Sequence, residues 1–233
     1  MKVNTDSLIL GSYAGADAKN AMRILDIGTG TGILALMMAQ QSSLDTRVDA
    51  VELDITAAKQ ASENFINSAW RERLHVLPLD ITAYAPDTRY DLIIANPPYF
   101  DTPDKTTNAY KLQNASRFIA RQTGALSPSV LSAFARKYLN KNGVFWCVYP
   151  FQVRQNILDC ARLSELEATV IVEVKHNLTS DPYLNVFRFQ RLNNDGAVTW
   201  AESCQLSRLI IKNSDGTYTD DYRALCSEYY LNF

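Results

Sequence analysis

Short apolar runs alternate with segments rich in helix-forming residues along most of the chain. Residues 33–40 contain only Ile, Leu, Ala, Met and Gln and follow a glycine-rich turn, which predicts a helix. Strand, turn and helix in this order are typical of an α/β fold with a mostly parallel sheet and right-handed crossovers. Strands are predicted at residues 23–27, 47–51, 74–77, 90–95, 143–149, 167–174 and 183–189. A short polar connection joins the last two, so we expect them to pair antiparallel.

The turn after the first strand has the sequence Gly28-Thr29-Gly30-Thr31-Gly32. Its G-x-G-x-G spacing differs from the G-x-G-x-x-G fingerprint that seats a dinucleotide pyrophosphate on a helix N-terminus. S-adenosylmethionine has no phosphate, and it carries an amino-acid end, a cationic sulfonium and an adenosine. Glycines that let the backbone approach a ligand, with Asp26 supplying negative charge, fit this cofactor better than NAD.

Two acids follow later strands. Glu52 ends the second strand, twenty residues past Gly32, where a carboxylate can accept hydrogen bonds from both ribose hydroxyls. Asp80 and Ile81 follow the third strand, where a carboxylate can accept from an adenine amino group. A lone acid at a strand end is more often simply solvated, but the glycine loop predicts both the position and the residue type of Glu52.

Asn96-Pro97-Pro98-Tyr99 follows the buried run 90–95. The prolines restrict the backbone, and Tyr99 offers a flat ring beside the Asn96 carboxamide and the Pro97 carbonyl. These groups can accept hydrogens from an amino group while the ring stacks on a planar substrate. Alone, the tetrad could be a proline-rich turn. The upstream loop favours an acceptor site for a planar amino nitrogen, with all four residues forming the catalytic set.

The Asp26–Gly32 loop, Glu52, Asp80 and the Asn96–Tyr99 tetrad, in this order, resemble a class I S-adenosylmethionine-dependent methyltransferase acting on nitrogen. Residues 1–11 and 218–233 extend this resemblance to both ends. Nearly the whole chain is therefore similar to the bacterial tRNA (adenine-N6) methyltransferases that modify adenine 37 of a valine tRNA. Members of that family carry a short segment ahead of the Lys-Val-x-Thr-Asp stretch, inside which this sequence begins. We therefore expect a trimmed or different start.

The resemblance implies a Rossmann-like sheet of seven strands, mostly parallel with one antiparallel, and helices on both faces. A single methyltransferase domain would then comprise a cofactor-covering segment (1–22), a cofactor half (23–100), a substrate-side loop or helix (101–127) and the remaining sheet with a C-terminal helix (128–233). The family resemblance also places Thr5 and Asp6 near the amino-acid end of the cofactor. The full predicted cofactor set is Thr5, Asp6, Asp26, Gly28, Thr29, Gly30, Gly32, Glu52, Leu53, Asp80, Ile81 and Asn96.

The tetrad alone leaves the acceptor open. A glutamine amide of a protein or a guanine of ribosomal RNA would suit it as well as adenine, although the glutamine enzymes usually carry a helical domain before the cofactor motif and only 25 residues precede Asp26 here. A module that binds cofactor and RNA without turnover is a third class, which the intact Asn96 and Pro97 disfavour.

The formal net charge is −2, which is unusual for a tRNA-binding protein. Residues 105–124, however, contain four cations and no acid, so this window contributes +4 and the rest of the chain −6. An ordinary solvated surface is the alternative interpretation. Because the window follows the tetrad, and Tyr110 could stack on an unpaired base, we predict RNA contacts at Lys105, Tyr110, Lys111, Arg117 and Arg121.

The 233 residues, 47% of them hydrophobic, can bury one substantial core, and no linker-like stretch divides them. The four cysteines lack C-x-x-C spacing and the two histidines lack neighbouring ligand types, so we expect reduced thiols and no metal. No signal peptide or membrane span is evident, which favours a cytoplasmic protein without a membrane partner.

Overall fold

The computed structural model describes residues 5–98, 126–192 and 204–230. Within them the sheet has eight strands, bounded as follows: β1 Arg23–Ile27, β2 Arg47–Glu52, β3 Leu74–Pro78, β4 Tyr90–Ala95, β5 Leu139–Pro150, β6 Leu166–Asn177, β7 Pro182–Arg191 and β8 Gln205–Lys212. The α-helices of the described residues are α1 Thr5–Ala18, α2 Ile33–Gln41, α3 Ile55–Ile66, α4 Pro128–Tyr138, α5 Arg154–Leu163 and α6 Asp220–Cys226. Short 3-10 helices span Arg71–Arg73, Ile81–Ala83, Phe151–Val153 and Ser227–Tyr229.

The strand order is β3-β2-β1-β4-β5-β7-β6-β8. Strands β1 to β5 are mutually parallel, and β7 runs antiparallel to both of its neighbours. The α/β class, the mostly parallel sheet and the antiparallel pairing of β6 with β7 are therefore confirmed. Strand β8, which pairs in parallel with β6, is an addition to the seven predicted strands. It is an edge strand in which Gln205, Ser207 and Arg208 interrupt the apolar pattern, so its sequence gives a weak strand signal.

The strands alternate their apolar side chains between two cores, one on each face of the sheet. In β1, Ile24 faces one core and Leu25 the other, and both are fully buried. Helices α1, α2, α3 and α6 contribute to the first core, whereas α4 and α5 contribute to the second. Helices thus cover both faces, as a sheet of mostly parallel strands requires.

Helix α1 packs directly against α2. A Cβ atom on Gly11 would lie 2.4 Å from Cε of Met37, so a larger residue at this point would require the Met37 side chain to move. Leu8, Ile9 and Leu10 of the same helix are buried in the first core. The first turn of α1 is thereby held near the carboxyl end of the central strands, where the candidate site lies.

Candidate active site

Three of the predicted site residues lie at the carboxyl edge of three adjacent parallel strands. In the register of the sheet, Ile27 of β1 pairs with Val51 of β2 and with Ala95 of β4. The residues that follow these three positions are Gly28, Glu52 and Asn96. The strand order reverses between β1 and β4, and open α/β sheets bind ligands in the crevice at such a switch point.

The glycine loop is fastened to the end of β2. The backbone N–H groups of Gly28 and Thr29 both donate to the carbonyl oxygen of Val51, at 2.9 and 3.1 Å. Gly28, Gly30 and Gly32 have φ angles of 71°, 59° and 88°, a region in which L side chains are strained. The alternating glycines are therefore required by the path of the backbone itself.

Asp26 ties this loop to the first turn of α2. Its Oδ2 accepts from the Thr29 hydroxyl at 2.5 Å and from the backbone N–H of Ala35 at 3.1 Å. The side chain is fully buried, and Oδ1 has no hydrogen-bond partner among the described residues. Burial raises the pKa of the carboxyl to about 7, although the bonds from Thr29 and Ala35 act in the opposite direction. Asp26 thus shapes the loop, and its contact with the cofactor stays a prediction.

Glu52 spans from the end of β2 to the loop. Its Oε2 accepts from the backbone N–H of Gly30 at 2.8 Å, and its Oε1 accepts from the N–H of Asp54 at 2.9 Å. Each carboxylate oxygen can accept more than one hydrogen bond, so these contacts orient the group and leave capacity for ribose hydroxyls. Leu53 beside it is 63% exposed and offers an apolar surface at the same edge.

Asp80 and Ile81 follow β3, one strand further out. Asp80 Oδ1 accepts from the backbone N–H and the hydroxyl of Thr82, both at 2.8 Å, and so caps the 3-10 helix Ile81–Ala83. Ile81 is buried in the core with Val51. The structure gives both residues a local structural role, and their contact with an adenine ring stays a prediction.

Asn96 and Pro97 leave β4 at the centre of the edge. The Asn96 side chain is half-buried, Pro97 is buried and Pro98 is exposed. Asn96 Nδ2 donates to Oγ of Ser7 in the first turn of α1, at 2.8 Å. Tyr99, and the predicted RNA contacts at Lys105, Tyr110, Lys111, Arg117 and Arg121, lie outside the described residues.

The first turn of α1 brings further side chains to this edge. Thr5 is exposed, whereas Asp6 Oδ1 accepts from the Tyr183 hydroxyl at 3.3 Å. Partial burial raises the pKa of Asp6 against the effects of Tyr183 and nearby His176. Sequence reasoning missed Ser7 and Tyr183, because their partners are distant along the chain and neither residue belongs to a local motif.

Two further findings concern residues 5–98, 126–192 and 204–230. No three His, Cys, Asp or Glu side chains come together there as a possible metal site. Each helix in these ranges is too short or too polar to cross a membrane.

Solved structures that share this fold include methyltransferases. A predicted O-methyltransferase from Agrobacterium tumefaciens superposes with a TM-score of 0.68, 18% identity and coverage of 96% of both chains. An S-adenosylmethionine-dependent methyltransferase from Clostridium acetobutylicum gives 0.56 and 10% identity, over 83% of this chain and 93% of the other. Residues 13–129 match the Methyltransferase small domain family. The fold and the site together define a Rossmann-like methyltransferase of the S-adenosylmethionine-dependent class.

Relatives of known name identify the family to which this methyltransferase belongs. A tRNA1(Val) (adenine(37)-N6)-methyltransferase from Aeromonas hydrophila is 38% identical over 99% of this chain and 91% of its own length. A protein of the same name from Tolumonas auensis is 39% identical over 99% of this chain and 90% of its own length. The chain belongs to this family, so the predicted family resemblance is confirmed.

Proposed function

We propose that this chain transfers a methyl group from S-adenosylmethionine to N6 of an adenine in tRNA, at position 37 of the valine tRNA for which its relatives are named. The observation that carries this proposal is identity of 38% and 39% to two such enzymes along nearly the whole chain. The geometry agrees, because Asn96 and Pro97 lie beside the glycine loop at the switch point of the sheet.

The acceptor side consists of Asn96, Pro97 and Tyr99. The target adenine leaves its stack and lies against Tyr99, as bases do in enzymes that modify them. Its amino hydrogens are accepted by Asn96 Oδ1 and by the Pro97 carbonyl. These bonds draw the nitrogen lone pair out of conjugation with the ring and aim it for an in-line displacement. Catalysis then comes from orientation and electrostatics, and it needs no cysteine nucleophile.

The cofactor side consists of the glycine loop and Glu52, with Thr5, Asp6, Asp26, Leu53, Asp80, Ile81 and Asn96 as the further predicted contacts. S-adenosylmethionine, when bound, would supply an electrophilic methyl group; its transfer would break the methyl–sulfur bond, leave S-adenosylhomocysteine as the product and release one proton from the adenine amino nitrogen. Glu52 ends β2 and Asn96 follows β4, two strand spacings or about 10 Å apart across the edge, and the cofactor would lie between them. The Glu52 carboxylate can accept hydrogen bonds from a ribose diol, and the exposed Leu53 side chain can pack against the face of an apolar ring.

The RNA side of the proposal rests on the basic window. Lys105, Lys111, Arg117 and Arg121 neutralise phosphates next to the acceptor slot, and Tyr110 stacks on an unpaired base. Concentrating +4 of charge within 105–124 reconciles tRNA binding with a net charge of −2 for the whole chain.

The test is the distribution of labelled methyl groups among three acceptor pools. The purified chain is incubated with labelled S-adenosylmethionine and with total tRNA, total protein or ribosomal subunits from a strain that lacks the modification. We expect label in tRNA and none above background in the other pools. Label in protein alone would instead favour a glutamine acceptor, and label in ribosomal RNA alone a guanine acceptor. No label in any pool would favour a non-catalytic module.

A further inference from the structure

A side-chain hydrogen bond joins the first turn of α1 to the end of β4. Asn96 Nδ2 donates to Ser7 Oγ at 2.8 Å, and Ser7 is only 6% exposed. A carboxamide is planar, with its oxygen and its nitrogen pointing in different directions. A bond that holds Nδ2 against Ser7 therefore also fixes the direction of Oδ1.

The turn that carries Ser7 is itself held from two sides. The Tyr183 hydroxyl donates to Asp6 Oδ1 at 3.3 Å, and the Tyr183 ring stacks on His176 with centroids 4.0 Å apart and planes 6° apart. Behind the turn, Ile9 and Leu10 are fully buried. Ser7 is consequently a fixed point from which the orientation of Asn96 can be set.

We propose that Ser7 is a positioning residue that holds the Asn96 carboxamide with its oxygen toward the acceptor nitrogen, an inference that rests on the proposed function. The acceptor amino group is a hydrogen-bond donor, so it needs an oxygen at this place. A rotated carboxamide would present its own N–H2 group, and two donors would face each other. In the observed arrangement Ser7 Oγ accepts from Nδ2, and this bond holds the Asn96 carboxamide in that orientation before the substrate binds.

The first experiment compares Ser7→Ala with the unmodified enzyme under saturating tRNA and S-adenosylmethionine. One neutral hydrogen bond is worth about 1 kcal/mol, so we expect kcat to fall about five- to tenfold. The KM for S-adenosylmethionine should change by less than about twofold, because Ser7 acts on the acceptor side. Ser7→Thr keeps the hydroxyl and should recover most of the lost kcat.

Two controls separate positioning from a general loss of packing. Ser132→Ala removes a hydroxyl that is equally buried, at 3% exposure, on helix α4, and it should leave kcat unchanged. The second control places Ser7→Ala in an Asn96→Ala background. If Ser7 acts through Asn96, the second substitution should cost no further activity. An equal loss of kcat in both backgrounds would overturn the proposal.

A spectroscopic measurement decides the structural part independently of the substrate. In the protein labelled with ¹⁵N-asparagine, the Asn96 side-chain amide signal is identified by its disappearance in Asn96→Ala. We expect Ser7→Ala, but not Ser132→Ala, to shift this signal and to speed its hydrogen exchange. An unchanged signal, or an unchanged kcat in an enzyme that methylates tRNA, would overturn the positioning role. Absence of methyl transfer to tRNA by the unmodified enzyme would instead contradict the proposed function.

Discussion

The glycine loop and the Asn96 side chain lie on either side of the candidate site, and their hydrogen bonds come from different distances along the chain. Asp26 bonds to residues three and nine positions away, and Glu52 reaches back 22 positions to Gly30. Asn96, in contrast, donates to a serine 89 positions earlier in the sequence. The cofactor side is thus shaped largely by near neighbours, whereas the acceptor side also depends on how α1 docks against the sheet.

The sharpest way to separate the two sides is Asn96→Ala. We expect kcat to fall by about 10²- to 10³-fold, as when one group that stabilises a transition state is removed. Binding of S-adenosylmethionine should persist, because the loop and Glu52 are untouched. Calorimetry with the cofactor and labelled transfer to tRNA measure the two properties. Near-normal transfer would remove Asn96 from the mechanism, and loss of cofactor binding would show that the two sides are not separable.

Gly32→Ala tests the backbone of the loop. The residue has φ of 88°, and a Cβ would lie 2.4 Å from the Phe65 ring. Strain and overpacking together should lower the free energy of unfolding by about 2–4 kcal/mol. Gly216→Ala is the matched control, since its φ is 85° but no atom lies within 4 Å of the added Cβ. Urea unfolding should show a smaller loss of unfolding free energy for Gly216→Ala than for Gly32→Ala. Equal losses would mean that the Phe65 ring can move aside at little energetic cost.

Glu52→Gln tests the carboxylate of the cofactor side. A charge-assisted hydrogen bond is worth about 1.5–3 kcal/mol, so the Kd for S-adenosylmethionine should rise about 10- to 100-fold. The rate of the chemical step in single-turnover reactions at saturating cofactor should stay near normal. Glu63→Gln, an exposed acid on α3, provides the control. A Kd within about twofold of the unmodified protein would exclude Glu52 as a cofactor ligand.

Asp26→Asn tests the buried carboxyl of the loop through a distinctive pH dependence of stability. Folding raises the pKa of this carboxyl to about 7 from its ordinary 3.8, so the folded state binds the proton more tightly. The contribution of Asp26 to stability is therefore complete below about pH 4 and declines as the pH rises to about 7. Asn keeps an oxygen for Thr29 and Ala35 but cannot titrate.

The measurement is the free energy of urea unfolding at pH 5 and pH 8. The free energy of unfolding of Asp26→Asn, minus that of the unmodified protein, should be more favourable to the variant at pH 8 than at pH 5. A buried N–H2 group at the Oδ1 position adds a cost that is the same at both pH values, so only the difference matters. Asp45→Asn, at an exposed position, should leave the pH dependence unchanged. The same difference in both variants would contradict the assignment to Asp26.

This contrast also explains what could be predicted from the sequence. The strand, the glycine spacing and the acid at the end of the second strand follow local rules, and the structure places Gly28, Glu52 and Asn96 at one edge as such rules require. Ser7 and Tyr183 became visible only in three dimensions, because nothing near them in the sequence signals a partner 89 or 177 positions away. Strand β8 was missed because its polar residues at the sheet edge hide the apolar alternation.

The most direct test of the central claim is to identify the nucleoside that the enzyme methylates. Unmodified valine tRNA is incubated with the enzyme and S-adenosylmethionine, digested to nucleosides and analysed by mass spectrometry, with a transcript carrying guanine at position 37 as the control. We expect N6-methyladenosine with the adenine-37 transcript and no product with the control. Methylation of a guanine, or of adenine at another position in both transcripts, would contradict the central claim.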